Sequence, residues 1–240
     1  MRYAVVALGM ATATQLEAEP GTEAGVWWLD LGGVNAYLAD DDGDLVLVDA
    51  GTPRDAATVR DGIREAGYRV SDVARVLVTH YDVDHVGALS KLGLDAPVYV
   101  GRADAEILAG RRKPQARNHK GLLQRVTKPL VSVPDLSIRP VEEGDEIGSF
   151  TAYHTPGHSP GHMVYVAESP SVAFLGDLVR EEGGQLAASP WVISYDTDEV
   201  ARSIRRLADD APDFEMAAMG HGTPIMRRGS ERLRELAQRV

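Results

Sequence analysis

The run Thr79-His80-Tyr81-Asp82-Val83-Asp84-His85-Val86-Gly87 places two imidazoles and two carboxylates within six residues, directly after the apolar stretch Val76-Leu77-Val78. Imidazole nitrogen and carboxylate oxygen are the donors that divalent zinc, iron or manganese takes. Carboxylates this close repel one another unless a cation or water compensates them. The loop is therefore either fully solvated or holds metal. Three later turns carry the same residue types beside glycine. His158 and His162 lie in Thr155-Pro156-Gly157-His158-Ser159-Pro160-Gly161-His162, Asp177 follows Gly176, and His221 stands between Gly220 and Gly222. Each follows a strand-like or apolar run. Glycine allows unusual backbone angles and close approach, so these read as sharp loops that present side chains at one edge of a sheet. Asp49, just after Leu45-Val46-Leu47-Val48, makes a fifth contribution.

Hydrophobic patterning supplies the elements that would carry these loops. Strands are expected over 3–8, 26–30, 35–38, 45–48, 73–78, 97–100, 136–140, 149–154, 163–167 and 172–175. Helices are expected over 55–66, closed by Gly67, and over 103–109, 197–207 and 230–239. Helical and strand segments alternate without a linker, repeat or low-complexity tract, which predicts one α/β domain over residues 1–240.

Composition narrows the function classes. The 240 residues hold 36 acidic and 25 basic side chains, a net charge of −11, which argues against general nucleic-acid affinity. The absence of cysteine removes disulfides, thiolate metal sites and cysteine nucleophiles together. No apolar run is long enough to span a bilayer. The first residues are read as a strand rather than a secretory signal because no cleavage region follows, so a cytoplasmic location is expected. The expected partners are a small-molecule substrate and a second copy of the chain, with neither nucleic acid nor membrane.

Taken in this order, Asp49, the loop at 79–87, His158, Asp177 and His221 resemble the metallo-β-lactamase fold superfamily of metallohydrolases over nearly the whole chain from Val26. The resemblance implies an αββα sandwich, two mixed sheets packed together with helices outside and metals at one edge. The family pattern His-x-His-x-Asp-His stands here as His80-x-Asp82-x-Asp84-His85. It implies a first ion on His80, Asp82 and His158, and a second on Asp84, His85 and His221, with Asp177 bridging. Asp49 would orient ligands rather than bind metal. Two divalent ions are expected, zinc favoured, with iron or manganese as alternatives. The implied activity is hydrolysis of an ester, thioester or lactone by a hydroxide shared between the ions, with Asp84 binding metal and orienting that hydroxide.

Asp82 departs from the family pattern, which has histidine there. Two divalent ions, three carboxylates and one hydroxide sum to a neutral core, one unit less positive than with two carboxylates. A less positive core activates water less strongly and tolerates an oxidised metal better. That keeps two other readings open, a di-iron oxidoreductase or oxygenase on the same fold and a non-catalytic metal-binding relative.

One segment inverts the overall charge. Residues 111–128 hold Arg111, Arg112, Lys113, Arg117, Lys120, Arg125 and Lys128 and no acidic residue. A solvated helix or an oligomer contact is the favoured reading, and a lid that steers an anionic substrate is the sharper one. Of the other histidines, His119 is read as solvated, His154 as packed, and His162 as a structural hydrogen-bonding residue or a support to the ligands. Trp191 and Tyr195 are candidate pocket walls.

Overall fold

The structure is a computed structural model and describes residues 12–17, 25–132 and 135–240. The strand expected over 3–8 lies outside the described residues. Seven strands run in sequence order across the first sheet: β1 (Ala13–Leu16), β2 (Val26–Asp30), β3 (Asn35–Asp41), β4 (Asp44–Val48), β5 (Val73–Val78), β6 (Val98–Gly101) and β7 (Ile138–Val141). Pairing is antiparallel from β1 to β4 and parallel from β4 to β7. The second sheet is built from β8 (Glu146–Ile147), β9 (Phe150–His154), β10 (Met163–Ala167) and β11 (Val172–Gly176). A separate hairpin follows, β12 (Val179–Glu182) and β13 (Gln185–Ala188), and then β14 (Met216–Met219) joins the second sheet parallel to β11.

Both faces of the central strands are buried, so their side chains alternate between two apolar compartments. On β5, Leu77 points into the space between the sheets with Tyr37, Val46, Phe150, Tyr165 and Phe174, whereas Val76 and Val78 face the outer layer. That outer layer contains α1 (Ala56–Glu65), α2 (Val83–Val86), α3 (Leu89–Leu92) and α4 (Arg102–Leu108). The second sheet sends Val164, Ala173 and Leu175 outward against α6 and α7, which span Thr197–Asp210 and Gly229–Ala237; α5 (His119–Thr127) lies before them in the chain. The layers are helix, sheet, sheet, helix, which bears out the αββα sandwich.

Helix α6 shows how local sequence sets an element. Val200, Ile204 and Leu207 recur at helical spacing and are buried, and the Asp196 carboxylate caps the first turn by accepting from the Glu199 N–H at 3.0 Å. Several elements fall outside the expected set: strands β1, β8 and β14, the short helices α2 and α3, the hairpin β12–β13 and helix α5. The basic segment folds as α5, capped by Asn118, which accepts from the Lys120 N–H at 2.9 Å. Among the described residues no helix is long and apolar enough to cross a membrane.

Candidate metal centre

The loops that follow β4, β5, β9, β11 and β14 meet at one edge of the sandwich. They bring together all seven residues singled out as ligands. His80, Asp82 and His158 form one cluster, Asp84, His85 and His221 a second, and Asp177 groups with His80 and His85 between them. Within each group the donor atoms all lie within 4.8 Å of one another. Asp177 Oδ2 is 3.2 Å from His221 Nε2, 3.6 Å from His158 Nε2 and 4.0 Å from His80 Nε2. Its Oδ1 is 3.4 Å from His85 Nε2. Asp84, half-buried, stands 3.6 Å from His221 Nε2.

The hydrogen bonds behind the cluster fix which ring nitrogen faces it. Asp49 accepts from the Thr79 backbone N–H at 2.9 Å, from the Thr79 hydroxyl at 2.7 Å and from His85 Nδ1 at 2.8 Å. Since the Thr79 hydroxyl proton goes to Asp49, His80 Nδ1 donates to Thr79 Oγ1 at 3.0 Å. His221 Nδ1 donates to the Gly33 carbonyl at 2.6 Å, and His158 Nδ1 pairs with Ser189 Oγ at 2.9 Å. In each of the four rings Nδ1 is engaged behind the cluster, so Nε2 is the nitrogen that faces the centre. Asp49 belongs to none of the three donor groups and meets the centre through His85 Nδ1 and Thr79. Glycine matters at Gly220, where a methyl group would overlap Asp177 Oδ1 and His85.

A convergence of lone pairs is unstable without a cation. In the second cluster that need is visible: His85 Nε2 and Asp177 Oδ1 are buried and have no hydrogen-bond partner. A divalent ion beside Asp84, His85, His221 and Asp177 fits these donors. The first cluster differs. Lys120 Nζ lies 2.8 Å from Asp82 Oδ2 and is hydrogen-bonded to His158 Nε2, so a side-chain ammonium already sits among its donors. Gln124 Nε2 donates to Asp82 Oδ1 at 2.7 Å and to the Tyr81 carbonyl at 2.8 Å.

Lys120 corrects the reading of 111–128 as solvated, while Arg111, Arg112, Lys113, Arg117 and Arg125 are exposed as that reading expected. Lys120 is 2% exposed and Gln124 3%, and the polar ends of both find partners in the site. Arg111, Arg112 and Lys113 are exposed and do not line the cavity, so a steering role is not theirs by contact. Trp191 is 65% exposed and stacks on His119, with Pro190 and Ile193 lining the cavity instead. Tyr195 stands behind Gln124 and donates to its Oε1 at 2.7 Å. His119 is half-buried rather than solvated, hydrogen-bonded to the Trp191 carbonyl at 2.7 Å. His154, half-buried, is bonded to the Pro160 carbonyl at 3.0 Å. His162 positions a ligand: its Nε2 accepts the Asp177 backbone N–H at 3.1 Å.

Asp104 was missed entirely. It is fully buried on α4 and accepts from the Tyr81 N–H at 2.9 Å, the Ser159 hydroxyl at 2.6 Å and the Gly161 N–H at 3.0 Å. It thus ties the 80–85 loop to the 158–162 loop. No local motif marks it.

Electrostatics follow the same geometry. Burial opposes charge on His85, but Asp177 and Asp49 overrule it and hold its pKa well above the ordinary histidine range. Burial likewise opposes charge on His221, and Asp177 raises its pKa to about 9. Burial would raise Asp82 and Asp177, yet Lys120 beside the one and His85 beside the other hold both well below the usual carboxylate range. Burial and the Lys120 ammonium lower His158 to about 3, which leaves it neutral. Both shifts favour the protonated ring in the absence of metal, so an ion bound there competes with protons. Metal affinity is expected to rise with pH between 6 and 9, by about tenfold per unit for each proton released. Chelator competition at stepped pH checks this, and affinity flat across that range would contradict it.

The cavity above the donors has a volume of about 380 Å³. Asp82, Asp84, Lys120, His158, Asp177 and His221 form its polar base, and Val83, Leu123, Val179, Pro190 and Ile193 its apolar wall.

The family model of the metallo-beta-lactamase superfamily matches residues 29–221. The chain belongs to that superfamily. It is 29% identical over 259 residues to the probable metallo-hydrolase YflN of Bacillus subtilis (strain 168), covering 95% of this chain and 96% of YflN. It is 27% identical over 159 residues to the atrochrysone carboxyl ACP thioesterase nsrC of Aspergillus novofumigatus, covering 64% of this chain and 40% of that protein. The solved structure of TTHA1623 in a di-iron-bound form superposes with a TM-score of 0.63 at 28% identity, covering 85% of this chain and 94% of that one. The fold binds divalent metals.

Proposed function

We propose that the chain is a metal-dependent hydrolase that opens an ester, thioester or lactone bond of a small molecule. The observation that carries this reading is the facing pair His85 Nε2 and Asp177 Oδ1, buried and unpartnered at the base of an open cavity. In this reading Asp84, His85, His221 and Asp177 are ligands, with zinc favoured and iron or manganese as alternatives. A divalent ion held there would supply the Lewis acidity that activates water and polarises a carbonyl.

The protein's own groups do the rest. Asp84 is half-buried at the cavity base, where one carboxylate oxygen can bind and the other accept a hydrogen bond from the attacking water, setting its direction. His158, kept neutral, and the Lys120 ammonium lie on the opposite side of Asp177 and face the same space. The apolar wall from Leu123 to Ile193 excludes water from the substrate's non-reacting part and strengthens the charges at the base. No serine or cysteine nucleophile is required. The thioesterase name of one relative and the hydrolase name of another agree with this class.

Activity on a panel of ester, thioester and lactone substrates tests the reading. Turnover should appear with metal-loaded protein, vanish on stripping by chelator and return on reloading. Turnover unchanged by stripping would sink it. An iron-dependent oxidoreductase is the second reading, favoured by Asp82 and by the likeness to di-iron TTHA1623. Oxygen consumption by the iron-loaded protein separates it from hydrolysis.

A further inference from the structure

The two halves of the candidate centre differ in one respect that the family pattern does not anticipate. In the second cluster two buried ligand atoms lack partners, whereas in the first Lys120 and Gln124 reach Asp82 and Lys120 also reaches His158. His80 Nε2 and His158 Nε2 approach within 3.1 Å, and each lies 3.2 Å from Asp82 Oδ2. His80 Nδ1 donates to Thr79 and His158 Nε2 accepts from Lys120, so these three atoms are all acceptors, and they would repel one another without a positive charge among them. Lys120 Nζ supplies it, donating to His158 Nε2 and pairing with Asp82 Oδ2 at 2.8 Å.

The ammonium is held there by the fold. Asn118 caps α5 by accepting from the Lys120 and Gly121 N–H groups at 2.9 and 3.3 Å, and its Nδ2 donates to the Tyr195 carbonyl at 2.8 Å. One turn later Gln124 is bonded to Asp82, to the Tyr81 carbonyl and to the Tyr195 hydroxyl. Gly121 is packed so closely on Gln115 and Tyr195 that a methyl group there would overlap both. Helix α5 is therefore anchored on both sides of Lys120. The residue type fits as well. Lysines stand only at 91, 113, 120 and 128 among the 25 basic residues. Lysine presents a compact point charge where arginine would need space for a planar fork.

We propose that Lys120 is a resident cation of this centre: its ammonium takes the place of the first ion, and the chain carries one divalent ion, on Asp84, His85, His221 and Asp177. The inference rests on the metal-dependent reading above. One divalent ion and one ammonium balance Asp82, Asp84 and Asp177, so the base of the cavity is neutral without a second ion. It also accounts for Asp82, because a carboxylate pairs with an ammonium where the family's histidine would not. Lys120 lines the cavity and can donate to the oxygen of a bound carbonyl.

The test is metal stoichiometry. Wild-type protein and Lys120→Met are saturated with zinc, desalted and measured by elemental analysis. One zinc per chain in the wild type and two in Lys120→Met is the expected result. Two in the wild type overturns the role of Lys120 and leaves the hydrolase reading intact. One in both proteins also overturns it, since the first cluster then fails to bind for another reason. None in either removes the metal reading itself. Should Lys120→Met fail to fold, the wild type loaded with excess manganese decides the matter. The spectrum of an isolated Mn(II) ion by electron paramagnetic resonance supports the proposal, and an exchange-coupled pair refutes it.

Discussion

Asp177→Ala is expected to bind zinc at least about a hundredfold more weakly than wild type, and to lose about a thousandfold in kcat/KM on whichever ester, thioester or lactone the enzyme turns over. Asp177 is the carboxylate that reaches both halves of the centre, with Oδ2 at 3.2 Å from His221 Nε2 and Oδ1 at 3.4 Å from His85 Nε2. Removing it leaves two imidazoles whose protonated form its charge had favoured, and removes the shared donor of any bound ion. Several kcal/mol of transition-state stabilisation depend on that ion, which sets the size of the activity loss. Asp177→Asn keeps the volume and the backbone contact to His162. It should show nearly the same loss, which separates charge from packing. Isothermal titration with zinc and steady-state kinetics measure both quantities. Affinity and activity within tenfold of wild type would contradict the placement of Asp177 at the centre.

Asp104→Ala is expected to cost about 3–6 kcal/mol of folding stability, although Asp104 touches no candidate ligand atom. Its carboxylate accepts two backbone N–H groups and one hydroxyl, all buried. Each buried donor left without an acceptor costs about 1–3 kcal/mol. For a chain of this size the midpoint of thermal unfolding should fall by about 10 °C or more. Metal affinity should fall with it, because the loops that carry His80 and His158 lose their common tether. Asp104→Asn should be intermediate. Its amide oxygen keeps part of the set, while its NH₂ meets an N–H or hydroxyl that needs an acceptor. A midpoint within about 2 °C of wild type for Asp104→Ala would refute the account of that residue.

These two carboxylates mark the boundary of what is legible in the sequence. Asp177 is readable because strand, glycine and aspartate follow one another in the chain, and the same short grammar marks His158 and His221. The αββα layers are readable because the strands alternate by twos over two buried faces, as Leu77 does against Val76 and Val78. Asp104 is one of two acidic residues in an ordinary helix, and its meaning lies in backbone groups 23 and 57 residues away. Lys120 stands in a run of basic residues whose usual fate is solvation, and its partner His158 is 38 residues distant. Only tertiary contact singles out the one lysine that turns inward. The hairpin β12–β13 did carry a local signal, the Gly183-Gly184 pair between its strands. Its charged first strand obscured the alternation.

The central claim is that a divalent ion binds where Asp84, His85, His221 and Asp177 converge. Anomalous diffraction at the zinc absorption edge, from crystals of the zinc-loaded protein, tests it most directly. A peak about 2.0–2.2 Å from His85 Nε2, His221 Nε2 and the carboxylates of Asp84 and Asp177 is the predicted result. No peak among these four residues in zinc-saturated crystals would contradict it.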